Sequence, residues 1–123
     1  MLGSLQYLPP ELSLRSGDAA ARPADHRSDF YSLGVTFFEL LTGSVPFHER
    51  SAVRMMHAHM AKQAAAVHEV DERVPRCVSA VVGRLLAKSV EERYQSSRGL
   101  VADLLRCERI VAARQRPSRP RRQ

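Results

Sequence analysis

The stretch 29–41, "DFYSLGVTFFELL", constrains the fold more than any other part of the chain. Its polar residues Asp29, Ser32, Thr36 and Glu39 recur at spacings of three and four, which on an α-helix gathers them into one narrow stripe. The rest of the circumference is apolar. A helix of that kind belongs in the middle of a globule, with other elements packed around it. Ser28 can cap its start, Asp29 complements the positive end of its dipole, and Thr42, Gly43 and Pro46 supply the stop.

The partners of that helix are themselves helices. Over 51–62, Val53, Met56 and Met60 share a face; over 75–88, Val78, Val81, Val82, Leu85 and Leu86 make a regular amphipathic pattern that begins at Pro75, where a missing N–H costs nothing. A last helix over 97–113 aligns Leu100, Leu104, Cys107 and Val111. Strand patterning is almost absent, so the expected fold is mostly α. The segment 12–28, "LSLRSGDAAARPADHRS", has no sustained period and reads as a long connection, which a compact domain tolerates only for a reason.

At 123 residues, 44% of them hydrophobic, the chain has room for one small domain. No apolar run reaches the roughly 18 residues of a membrane span, and the start lacks the pattern of a signal peptide, so a cytoplasmic setting is expected. Cys77 and Cys107 lack C-x-x-C spacing and are expected to be reduced and buried. His57 and His59, two apart, diverge on a helix and read as surface residues, with no spacing suited to a metal. The formal charge is +6, but the segment 114–123, "RQRPSRPRRQ", contributes five arginines and leaves only +1 for the remainder. That segment reads as a basic disordered tail, and nucleic acid is not an expected partner.

Three blocks, in order, carry a family resemblance. "GSLQYLPPE" at 3–11 resembles the end of the activation segment of a Ser/Thr protein kinase, where a Gly-Thr or Gly-Ser pair leads to a tyrosine and an A-P-E or S-P-E tripeptide. "DHRSDFYSLGVTFFELLTGSVPF" is similar to the central helix of the large lobe, with its D-x-[WFY]-S-x-G start and T-G-x-x-P-F close, and "LLAKSVEERYQS" to a later K-x-x-x-x-R-[YP] segment. A narrower likeness, in "HAHMAKQ" and "KSVEERYQSSRGLVADL", is to the kinase region that heads some large sensor proteins with an ATPase region and a histidine kinase.

The resemblance implies a fold and a set of roles. Residues 1–113 would be a partial protein kinase domain, the helical C-terminal part of the large lobe (C-lobe), with no N-lobe and no catalytic loop, and 114–123 a tail. Ser4, Leu5 and Tyr7 would lie in the substrate-docking loop: Ser4 matches the hydroxyl residue that contacts the catalytic aspartate and lysine, and Tyr7 the ring that lines the site of the residue after the phosphoacceptor. Tyr7 reads equally as a half-buried structural tyrosine. The loop implies Ser or Thr as acceptor. Glu11 matches the A-P-E glutamate and Arg93 its ion-pair partner across the lobe. Pro9 departs from the family's alanine or serine and alters local loop geometry. Asp29 matches the aspartate that anchors the catalytic loop.

The Gly-rich loop, the strand lysine, H-R-D and D-F-G are not in these residues, so ATP and Mg²⁺ are implied only for the complete family domain and no cofactor for this chain. The expectation is a Ser/Thr kinase fragment, inactive alone, prone to self-association, with a protein substrate if part of a complete kinase. The alternative is a non-catalytic helical interaction module.

Overall fold

Apolar residues distributed around 29–41 require cover on several sides, and the structure supplies it with helices. The computed structural model describes residues 7–12 and 25–115. The helices are α1 (His26–Thr42), α2 (Ala52–Ala61), α3 (Val67–Val70), α4 (Arg76–Leu85) and α5 (Ser97–Gln115), with 3-10 turns at Pro10–Leu12 and Val90–Glu92. No strand occurs among the described residues. No helix among them is long and apolar enough to cross a membrane.

In α1, Tyr31, Val35 and Phe38 are buried against Val67, Val74, Val82 and Leu86, and Phe30, Leu33 and Phe37 pack on a second cluster containing Val81, Leu85, Tyr94, Leu100 and Cys107. Of its large apolar residues only Leu40 is exposed. The close approach of α1 to α4 is made possible by Gly34, where a Cβ would stand 2.8 Å from the Leu85 Cβ. The cap of α1 is Asp25, whose carboxylate accepts from the Arg27 and Ser28 N–H groups, and not Ser28. Ser28 is buried and its hydroxyl is engaged elsewhere, so the capping task falls to the next suitable side chain upstream. Gly43 closes the helix at φ 82, its N–H donating to the Glu39 carbonyl.

The face expected for α2 is overturned. Met55, Ala58 and His59 point inward, while Val53 and Met60 are exposed. Apolar residues occur on both sides of this helix, so periodicity could not choose between them. The choice is made by Phe47 and Tyr31, whose rings meet the His59 imidazole edge-on. His59 is therefore a core residue and only His57 is at the surface.

In α4, Pro75 stands at the N-cap, just outside the helix, and Ser79, Val81, Val82 and Leu85 are buried. Helix α5 buries Leu100 and Cys107 and continues two residues past the expected end, so Arg114 and Gln115 are helical. Cys107 is buried but Cys77 is only half-buried. Burial first, and then the neighbouring Cys77 thiol, push the Cys107 thiol up to about 11, so it is an inert core group.

Candidate functional site

The described part of the N-terminal segment, residues 7–12, is held to the helical body at two points. At the first, the Tyr7 hydroxyl donates to the Glu39 carboxylate at 2.6 Å, and the Ser32 hydroxyl donates to the Tyr7 carbonyl at 2.7 Å. Two polar residues from the narrow stripe of α1 thus grip one residue. The hydrogen bond to Glu39 raises the Tyr7 phenol above its ordinary value, with partial burial and the carboxylate charge adding to it.

At the second point Arg93 and Glu11 meet. Arg93 Nη1 donates to Glu11 Oε2 and Nη2 to Oε1, both at 2.8 Å, a bidentate pair with the arginine fully buried. Nε donates to the Ala87 carbonyl at 2.8 Å, Nη1 also to Arg27 at 3.1 Å, and Nη2 also to Lys88 at 3.3 Å. All of the guanidinium's donors have acceptors. The Ser28 hydroxyl adds a bond to Glu11 Oε2. Burial opposes ionisation of Glu11, but the hydrogen bonds from Arg93 and Ser28 outweigh it and hold the carboxyl below its ordinary value. Sequence alone had no signal for Ser28 in this role.

Beneath the pair lies a polar core that sequence reasoning missed. The Arg93 guanidinium sits 4.9 Å over the Tyr31 ring, and the Tyr31 hydroxyl shares a 2.7 Å hydrogen bond with His59 Nδ1. Burial pushes the Tyr31 phenol up. Lys88 Nζ donates to the Ala58 carbonyl at 3.1 Å and lies 4.6 Å from the Phe47 ring centre. Burial, with the Arg93 charge adding to it, lowers its ammonium to about 8.

Asp29 is exposed in the first turn of α1. Ser4 and Leu5 lie outside the described residues. Among the described residues no group of three or more His, Cys, Asp or Glu is placed to hold a metal ion. What the arrangement can do chemically is positional: it fixes an N-terminal segment against a helical floor.

The family model for the protein kinase domain matches residues 1–106. The chain belongs to the protein kinase domain family. Among its relatives, this kinase-domain chain is 37% identical over 106 residues to the serine/threonine-protein kinase PksC of Streptomyces coelicolor, an overlap of 86% of this chain and 18% of that protein. It is 38% identical to the serine/threonine-protein kinase PknB of Mycobacterium leprae over 86% of this chain and 16% of that one. It is also 45% identical over 98 residues to the hybrid signal transduction histidine kinase G of Dictyostelium discoideum, covering 80% of this chain and 3% of that protein. The kinase-domain chain thus spans less than a fifth of each of these relatives. Its mostly helical architecture is that of the helical part of a kinase large lobe.

Proposed function

We propose that this chain supplies the substrate-facing floor of a Ser/Thr protein kinase, which transfers the γ-phosphoryl group of ATP to a protein hydroxyl when the complete domain is present. The observation that carries the reading is the bidentate, buried Arg93–Glu11 pair, which ties the segment leading from Tyr7 to α1 and to the turn before α5. In this reading Ser4, Leu5 and Tyr7 belong to the loop that receives the acceptor residue. Glu11 and Arg93 hold that loop in register, and Asp29, exposed at the start of α1, meets the backbone of the catalytic loop. The likeness to the relatives named serine/threonine-protein kinase supports Ser or Thr as acceptor.

The groups that bind ATP and Mg²⁺ and accept the hydroxyl proton are not among these 123 residues, so these residues alone transfer no phosphate. The test compares the chain alone with a longer protein in which the upstream kinase elements are joined to it. Both are incubated with labelled ATP, Mg²⁺ and a generic protein acceptor. Incorporation is expected only in the longer protein. Transfer by the 123-residue chain alone refutes its role as a floor, and an inactive longer protein that binds ATP favours a non-catalytic interaction module.

A further inference from the structure

Between the segment before α4 and the last turn of α5 lies a cleft of about 470 Å³ whose lining includes Glu72, Arg73, Arg76, Val111, Arg114 and Gln115. Arg73 is held in place by Asp71: its Nε donates to Oδ1 at 3.0 Å and its Nη2 to Oδ2 at 2.8 Å, which leaves Nη1 outside the pair. Arg76 and Arg114 are exposed and enter no ion pair among the described residues. Glu72 is the single carboxylate in the lining. Beyond Gln115 the sequence continues with Arg116, Arg119, Arg121 and Arg122 and no acid.

We propose that this cleft, through Arg73, Arg76 and Arg114, is a binding site for a phosphomonoester. A phosphomonoester carries close to two negative charges and three acceptor oxygens, enough to take bonds from Arg76 on α4, Arg114 on α5 and Nη1 of Arg73 in the turn before α4. With Arg73 Nε and Nη2 engaged by Asp71, the donors left to a ligand are Arg73 Nη1 and those of Arg76 and Arg114, and a carboxylate's two oxygens are one fewer than these three donor groups. A concave site of this volume suits a compact dianion together with the residue or ring that bears it. The phosphodiester backbone of a nucleic acid offers one charge per unit, which the arginines after Gln115 could gather without the cleft. The site is independent of whether the chain serves phosphoryl transfer, since none of its residues belongs to the Glu11–Arg93 cluster.

The experiment measures fluorescence anisotropy of a labelled phosphoserine peptide and of its unphosphorylated twin with the 123-residue chain. Arg76→Gln, Arg114→Gln, the double variant and Glu72→Gln are compared with it, circular dichroism verifying equal helicity. The phosphorylated probe is expected to bind at least about ten-fold more tightly than its twin. Each arginine change should weaken it on the order of ten-fold, and Glu72→Gln should strengthen it, since charge-assisted bonds are lost in the first case and a repulsion in the second. Competition by inorganic phosphate at matching concentration marks a site for the free anion; competition by the phosphopeptide alone marks a peptide-borne group. Equal binding of the two probes, or undiminished binding in the double variant, overturns the proposal. So does single-stranded DNA that competes with wild type and double variant alike, because the anion affinity then belongs to the arginines after Gln115.

Discussion

Arg93 has five N–H groups, and Glu11, Ala87, Lys88 and Arg27 together accept from all of them. Removing the side chain by Arg93→Ala therefore leaves the Glu11 carboxylate buried without its counter-charge. A loss of about 3–5 kcal/mol is expected in chemical denaturation. Replacing both residues with methionine should be far milder, because no buried charge then remains; equal damage from the single and double changes would show that packing and not charge is at stake. The pair also sets an acid limit. Glu11 titrates below its ordinary 4.5 when folded, so its stabilisation is complete above that pH and is lost as acidification passes through the folded value. Arg93→Ala should flatten this acid limb. Lys88 slopes the curve the same way for a different reason: burial penalises its charged form, so with its folded value lowered to about 8 from 10.5 the unfolded chain holds the proton more firmly, and stability rises with pH between about 8 and 10.5. Lys88→Met is expected to remove that rise, read as the difference between the two proteins' pH–stability curves.

At the scale of elements, the positions that decide packing are small. A Cβ at Gly34 would press on Leu85 and Leu86, so Gly34→Ala should force α1 and α4 apart and destabilise by about 1–3 kcal/mol, whereas Ala at Gly83, where a Cβ meets nothing within 4 Å, should be tolerated. Thermal melts of the two variants test this, and an equal response would mean that the crossing is not close. The helices were legible because their polar and apolar residues recur at helical spacing and their ends carry Gly43 and Pro75. The inward face of α2 was not. Val53, Met56 and Met60 offered as good a stripe as Met55 and Ala58, and a histidine carries no label of burial until a tyrosine hydroxyl is set opposite it.

For the whole molecule, the exposed large apolar residues are Leu40 on α1, Val53 and Met60 on α2, Val70 on α3, and Val101 and Leu105 on α5. They are spread over the described surface, and among the large apolar residues of α1 Leu40 alone is exposed. Self-association of the isolated chain is still the expected outcome, through Val53 and Met60 on α2 and Val101 and Leu105 on α5, which stand within one helix in each case. Light scattering after size exclusion should give a mass above that of a monomer, reduced by Val101→Ser with Leu105→Ser. A monomer at all concentrations would exclude these faces as contacts.

The sequence by itself determined the mostly helical class, the central position of α1 and the family, because these depend on periodicity and on motifs read along the chain. It also pointed to Glu11 and Arg93, though only through resemblance. What only the tertiary structure decided is which groups converge between distant segments: Ser28 on Glu11, Tyr7 on Glu39, Tyr31 on His59, and Lys88 against Phe47. Hydrogen bonds and pKa shifts of this kind depend on distances of a few ångströms between residues far apart in the chain, and no local pattern encodes those distances.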